Sequence, residues 1–210
     1  MKRIMSVVAA FATLALKAEA NHGFLSLQRY MNPGWLKGID YNLVYLFPYV
    51  LLFLAAVDNM RLMHENKAMV ATRMTGMKEY KTMEGWIITR DCLEATGIYH
   101  AVLLACTKWD IGLDVLEVMA QNILIVTLCL EIFSLVQGLG NELAFTAVIG
   151  GMALLSFSGM LAAYRTGECV KWNLLTYNVM LEQGYQGNWL VIAEYGIAAF
   201  CLEWCRRRRT

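Results

Sequence analysis

Glu131 and Glu194 each sit inside a long apolar run, and Arg90, Asp91 and Glu94 interrupt a third. An ionisable group at bilayer depth costs roughly 2.5–3.5 kcal/mol on insertion scales, so such groups mark helix interiors, cavities or interfaces. Arg90 and Glu94 are four apart, which places them on one helix face where they could pair. On that reading the trio is a structural ion pair near the headgroups. For Glu131 and Glu194 two readings stand side by side. Each is a protonated carboxyl hydrogen-bonded between helices, or each lines a substrate path or holds a transported proton. Asp91 and Glu94 are the further candidates for that path.

Other chemistry finds no motif. His22, His64 and His100 lie on separate segments, which argues against a metal triad. There is no GxSxG and no HExxH, and Ser156 and Ser158 have no neighbouring base. No GxxxxGK[ST] phosphate loop occurs; "GLGNELA" lacks its lysine and second glycine. The six cysteines form no CxxC pair and no zinc-like spacing. Cys92, Cys106, Cys129 and Cys201 sit in or beside apolar runs, and Cys205 follows Cys201 at helical spacing; they read as small apolar residues. The expectation is a chain with no catalytic residue and no metal site.

A basic segment stands apart from all this. "ATRMTGMKEYKTMEGW", residues 71–86, is one of the few extended polar stretches. Val70, Met74, Met77 and Tyr80 or Met83 recur at three and four, so one face of a helix is apolar. Arg73, Lys78 and Lys81 lie off that face. Gly76 weakens the helix centre, and Gly85 falls where the chain turns into the next apolar run. A basic amphipathic helix either lies on a membrane surface or docks in a groove on a partner.

The elements that position these residues follow from composition. The 210 residues are 58% hydrophobic and 17% charged, with mean hydropathy +0.45. Soluble domains run nearer 45–50% apolar and about 25% charged. Net charge is +1, which gives no electrostatic case for nucleic acid. Scarce proline and the absence of repeats predict one domain over residues 1–210. A spanning helix needs about 20 mostly apolar residues. Six candidates appear, at about 4–24, 40–58, 87–106, 119–138, 143–164 and 189–205. Gly150-Gly151, Ser156, Ser158 and Gly159 in the fifth read as tight helix packing within the chain, with a contact to a second copy as the alternative. Lys2-Arg3, an apolar core and Ala18-Glu19-Ala20 also mimic a cleavable signal peptide, which would leave five spans.

Basic residues decide orientation. With the N-terminus inside, the inner segments carry Lys2, Arg3, Arg61, Lys67, Arg73, Lys78, Lys81 and Arg206 to Arg209. The outer ones carry only Lys17, Arg29, Lys37, Lys108, Arg165 and Lys171. The positive-inside rule then predicts an all-α, multi-pass protein of the cell membrane, with both ends inside and residues 59–86 as the sizeable inner loop. The terminal "RRRR" reads as a plain headgroup anchor.

This layout resembles the ABC-2-type permeases, the membrane subunits of ABC transporters, and among them the small bacteriocin-export and lantibiotic-immunity permeases. The resemblance covers most of the chain in topology. In sequence it covers about residues 46–90, where "TRMTGMKEYKTMEGW" supplies Arg73, Gly76, Lys78, Tyr80, Lys81 and Trp86 in the family's order. It departs from the family in its short N-terminal lead, and "CVKWNLLTYNVMLEQGYQGNW" does not by itself establish the family's re-entrant outer helices. The resemblance implies a cytoplasmic coupling helix between spans two and three, with Arg73, Met74, Gly76, Met77, Lys78, Tyr80 and Lys81 as its partner-binding residues. It implies a separate cytosolic ATPase that holds ATP and magnesium, since this chain has no phosphate loop. It also implies a second permease copy or a related partner, and export of a hydrophobic or amphipathic compound such as a bacteriocin-type peptide. The rivals are a stand-alone proton-coupled transporter using Glu131 or Glu194, and a membrane scaffold that recruits a soluble partner through the same loop.

Overall fold

The computed structural model describes residues 2–20, 36–74, 76–106, 113–166 and 189–208. Among them the chain is all-helical, with no strand. The helices are α1 (Lys2–Ala20), α2 (Leu36–Glu65), α3 (Lys67–Thr72), α4 (Met77–Cys106), α5 (Leu113–Val136), α6 (Asn141–Thr166) and α7 (Trp189–Arg208). Residues 107–112 and 167–188 lie outside the described residues, and with them the outer loop and the expected re-entrant segment.

Among the described residues three stretches are long and apolar enough to cross a membrane: Leu46–Glu65, Met119–Leu139 and Asn141–Ser158. They lie on α2, α5 with the turn after it, and α6, and overlap three of the six expected spans. The other three expected spans lie on α1, α4 and α7, whose charges dilute the apolar signal. Lys2, Arg3, Lys17 and Glu19 fall in α1, Arg90, Asp91 and Glu94 in α4, and Glu194, Glu203 and Arg206 in α7.

The core forms where α2 crosses its neighbours. Leu52, Phe53, Ala55, Ala56, Val57 and Met60 of α2 are buried, as are Ala9 and Ala10 of α1. Alanines on both helices bring their backbones close, as small residues do between membrane helices. Phe53, Phe133 and Phe145 tie α2, α5 and α6 in edge-to-face contacts with centroids 5.9, 5.8 and 4.9 Å apart. Such pairs are worth about 0.5–1.5 kcal/mol beyond the area they bury. Between α5 and α6 a 3-10 turn over Gln137–Leu139 ends at Gly140, whose φ of 122° suits glycine.

At Gly150 and Gly151 of α6 an added Cβ would meet nothing within 4 Å among the described residues, while Ser156, just over one turn on, is buried. One expectation fails: the inner segment is not one amphipathic helix. The Asn66 amide donates to the Leu62 carbonyl at 2.8 Å and marks the turn that ends α2. The short α3 stops where the Thr72 hydroxyl bonds the Met69 carbonyl, again at 2.8 Å. Arg73, Met74 and Gly76 form a break, and α4 begins at Met77. Local Asn, Thr and Gly chemistry therefore overrides the apolar period.

Candidate functional site

One guanidinium organises the end of the bundle where α2, α4, α5 and α7 meet. Arg206, near the end of α7, is buried with a side chain 4% exposed. Its Nη1 donates to Glu84 Oε2 at 2.7 Å and to the Lys81 carbonyl at 3.0 Å. Its Nε donates to Glu131 Oε2 at 3.2 Å and to Glu203 at 2.9 Å, and Nη2 also binds Glu203. Glu84 in turn meets His64 Nε2 of α2 at 2.7 Å and accepts from the Ser134 hydroxyl of α5. Three carboxylates from α4, α5 and α7 thus close on one arginine, and His64 of α2 and Ser134 of α5 join through Glu84. The planar fork of arginine suits this many-sided role, and a lysine would not replace it.

Local sequence makes the approach available. Gly85 sits in the third turn of α4, where a Cβ would fall 2.7 Å from Arg206 Nη2 and 3.2 Å from Glu203 Oε1. The glycine is therefore a gap through which α7 reaches α4, and the chain does not turn there as the sequence suggests. Burial alone would raise the Glu84 carboxyl. Hydrogen bonds from His64 and Ser134 and the charge of Arg206 outweigh that and hold it below the usual carboxylate range. Burial opposes the charge on Arg206 too, but the hydrogen bond to Glu203 and the carboxylates of Glu84 and Glu131 raise it further. Tyr80, beside His64 with ring centroids 5.9 Å apart, is pushed up to about 12 by burial and then by the Glu84 charge.

A second polar group lies two turns further along α4. Asp91 is fully buried and takes Lys2 Nζ of α1 at 2.8 Å, Asn59 Nδ2 of α2 at 3.1 Å and Arg90 Nη2 at 2.9 Å. Arg3 pairs with Glu94 at 3.1 Å. The expected Arg90–Glu94 pair does not form, because the start of α1 offers each carboxylate a cation from outside its own helix. Further on, the tone becomes neutral. His100 Nδ1 bonds the Thr96 carbonyl at 2.7 Å, Asn122 Nδ2 meets His100 Nε2 at 3.0 Å, and Thr13 meets Tyr99 at 3.0 Å. A carbonyl only accepts, so Nδ1 carries the proton and Nε2 accepts from the amide.

The sequence-predicted residues separate into three sets. Arg73, Gly76, Met77 and Lys78 are exposed and Met74 is half-buried. Tyr80 is buried against α2, and Lys81 turns back to donate to the Arg207 carbonyl at 3.3 Å. Glu131 and Asp91 are buried in separate ion-paired groups, whereas Glu194 is exposed on α7 and joins neither. Sequence reasoning missed Arg206, Glu84, Glu203, Ser134, His64 and Lys2. It read the terminal arginines as equivalent anchors, while the structure buries Arg206 and leaves Arg207 and Arg208 exposed. The signal was present: Glu203 and Arg206 are three apart, and Glu84 and Asp91 are seven apart on one face of α4.

Beside Arg206 a cleft of about 440 Å³ opens between α4, α5 and α7. Trp86, Ile88, Ala199 and Phe200 give it apolar walls, and Glu131, Glu203 and Arg207 give it charge. No group of His, Cys, Asp and Glu suited to a metal ion occurs among the described residues. No protein-family model, curated protein or solved structure matches the chain. The fold and its three apolar helices give it the character of a membrane protein.

Proposed function

We propose that this chain is the membrane-spanning subunit of an ATP-driven exporter, with six spans and both ends on the cytoplasmic side. Residues 66–76 and the first turn of α4 dock on a separate ATPase. The single observation that carries this reading is how that segment is rooted. Its tip is exposed, with Met69 and Met77 among cationic Lys67, Arg73 and Lys78. Its two stems are tied to the rest of the bundle: His64 ends one, Glu84 begins the other, and Arg206 and Ser134 join them to α7 and α5. A push at the tip is thereby transmitted to α2, α4, α5 and α7 together. The orientation is supported by Lys2, Arg3, Arg90 and Arg206, which gather towards one end of the bundle through Asp91, Glu94 and Glu84.

An apolar anchor inside a groove matters more than the charges on its rim. Replacing Met69 and Met77 together with Asp is expected to release the ATPase, while the permease stays in the membrane. Co-purification from detergent extracts reads the outcome. A purified chain without any nucleotide-hydrolysing partner, combined with intact export by the double variant, defeats the proposal. Cysteine labelling from outside tests topology separately: a cysteine at Lys78 should stay unlabelled and one at Asp110 should react.

A further inference from the structure

The arginines at the end of α7 divide their roles once the helix is packed. Arg206 is buried and engaged by Glu84, Glu131 and Glu203. Arg207 is exposed but pairs with Glu203 at 2.5 Å. Arg208 has no carboxylate partner among the described residues, and its guanidinium lies over the Trp204 ring, 4.5 Å from the centroid. Both members of that stack are exposed. Lys81 Nζ of α4 meets the Arg207 carbonyl at 3.3 Å. It brings a further cation to this helix end and offsets the partial negative charge of the last carbonyls.

Helical spacing puts Arg208 at the head of an apolar file. Ile197, Phe200, Cys201, Trp204 and Arg208 share one stripe of α7, opposite the face on which Ile192, Ala199 and Arg206 are buried. Ile197 is 64%, Phe200 67% and Trp204 50% exposed. The one exposed acid on the stripe among the described residues is Glu194. At 1.5 Å per residue it lies about 21 Å from Arg208.

We propose that this stripe binds an anionic phospholipid of the surrounding leaflet, with its phosphate on Arg208 and its acyl chains along Trp204, Phe200 and Ile197. The order of groups identifies the occupant. A cation on an aromatic ring is followed down the helix by exposed apolar side chains, which is the order a phospholipid presents from phosphate to chain. A guanidinium is planar and weakly hydrated, so it stacks on the indole and still offers N–H groups to two phosphate oxygens. Trp204 stands where aromatic residues gather at membrane interfaces. The preference for a net negative headgroup follows from charge. The nearest carboxylate on α7, that of Glu203, is taken by Arg206 and Arg207, so none is left for a lipid ammonium. Free phosphate would use Arg208 and leave the apolar file uncovered. The inference rests on the proposed placement of this end at the membrane surface.

Native mass spectrometry of the full chain in detergent tests it. A glycerol-headgroup (anionic) and a choline-headgroup (zwitterionic) phospholipid of identical acyl chains are added one at a time. One anionic lipid per chain is expected, held about fivefold more tightly than choline lipid, the ratio that one arginine at a membrane surface supplies. Arg208→Gln should bring the ratio towards unity. Arg208→Lys should keep part of it, because the charge stays while the fork is lost. Arg3→Gln removes the same charge from α1, where Arg3 is 81% exposed, and should leave the ratio unchanged. Equal retention of the two lipids by the unaltered chain overturns the proposal. So does an equal loss in Arg208→Gln and Arg3→Gln, which would show net charge acting without a site. Inorganic phosphate that displaces the lipid where chloride of the same ionic strength does not would make the site one for the free ion, and would also overturn it. Because lipid is counted on the purified chain, failure here leaves ATPase docking untouched, and loss of docking leaves the lipid count untouched.

Discussion

Replacing Arg206 with Met removes the charge and keeps most of the volume. In the structure Arg206 gives charge-assisted hydrogen bonds to Glu84 and Glu131, both buried to a side-chain exposure of 4%. Each such bond is worth about 1.5–3 kcal/mol. Glu84 keeps His64 and Ser134, but Glu131 is left facing Glu203 alone. Removing one partner from a buried charge network costs about 3–5 kcal/mol. For a chain of this size each kcal/mol moves the midpoint by about 2–4 °C, so Tm should fall by roughly 10 °C. Thermal unfolding in detergent, followed by tryptophan fluorescence, reads this directly. Arg207→Met is the control. Its side chain is largely exposed, and exposed pairs contribute about 0–1 kcal/mol, so Tm should barely move. The combined Arg206→Met, Glu84→Gln and Glu131→Gln variant should recover most of the loss, since no buried carboxylate then lacks a cation. The reasoning is refuted if Arg206→Met lowers Tm by no more than Arg207→Met, or if the combined variant is worse than the single one.

Other outcomes follow from the same geometry. Gly85→Ala should destabilise by about 1–3 kcal/mol, because its Cβ would fall 2.7 Å from Arg206 Nη2, whereas Gly76→Ala meets open space and should be neutral or gain up to about 1 kcal/mol; midpoints compare the two. Tyr80→Phe should raise Tm, since the buried Tyr80 hydroxyl has no hydrogen-bond partner among the described residues and leaving such a group unsatisfied costs about 1–3 kcal/mol. The Tyr80 phenol, raised from 10.0 to about 12, favours the neutral form in the fold; its contribution is present below pH 10 and lost as pH rises towards 12, and absorbance at alkaline pH follows it. Glu84 is depressed, so its contribution is present above the ordinary carboxylate range and lost as pH falls through its lower folded value; Glu84→Gln should flatten the acid limb of the stability profile.

Hydropathy found the helices because apolar length is a property of a single segment. It also found the buried acids Glu131 and Asp91, because a charge inside an apolar run is conspicuous. It did not find their partners. Arg206 is one of four consecutive arginines, and nothing in the run itself distinguishes it. Its burial depends on Gly85, 121 positions earlier in the chain, leaving a gap on another helix. Lys2 was likewise read as a topology signal, whereas it is the counter-ion of Asp91. The apolar period across residues 70–83 was real, but period alone cannot decide whether a helix is continuous. Thr72 and Gly76 interrupt it, and Tyr80 uses its place in the stripe to pack on His64.

The order of polar groups along α4 follows from the cost of burying charge. With 30 residues α4 is about 45 Å long, against a hydrocarbon thickness of about 30 Å. If one end lies in lipid, about ten residues must project at the other. Counted from Met77, these are the turns that hold Lys81, Glu84 and Gly85, and the Arg206 ion-paired group is found there. Asp91 follows at the boundary, where Lys2 and Arg90 can reach it from partly exposed positions. Glu94, one turn on, still pairs with Arg3; beyond it the pairs along α4 are neutral among the described residues, Tyr99 with Thr13 and His100 with Asn122. Charge thus declines in the direction in which desolvation becomes more expensive. A helix merely decorated with random polar residues would show no such order. The gradient makes the projecting turns the place where ionic contacts can be broken and remade most cheaply, and His64 and Glu84 stand there at the two roots of the exposed segment.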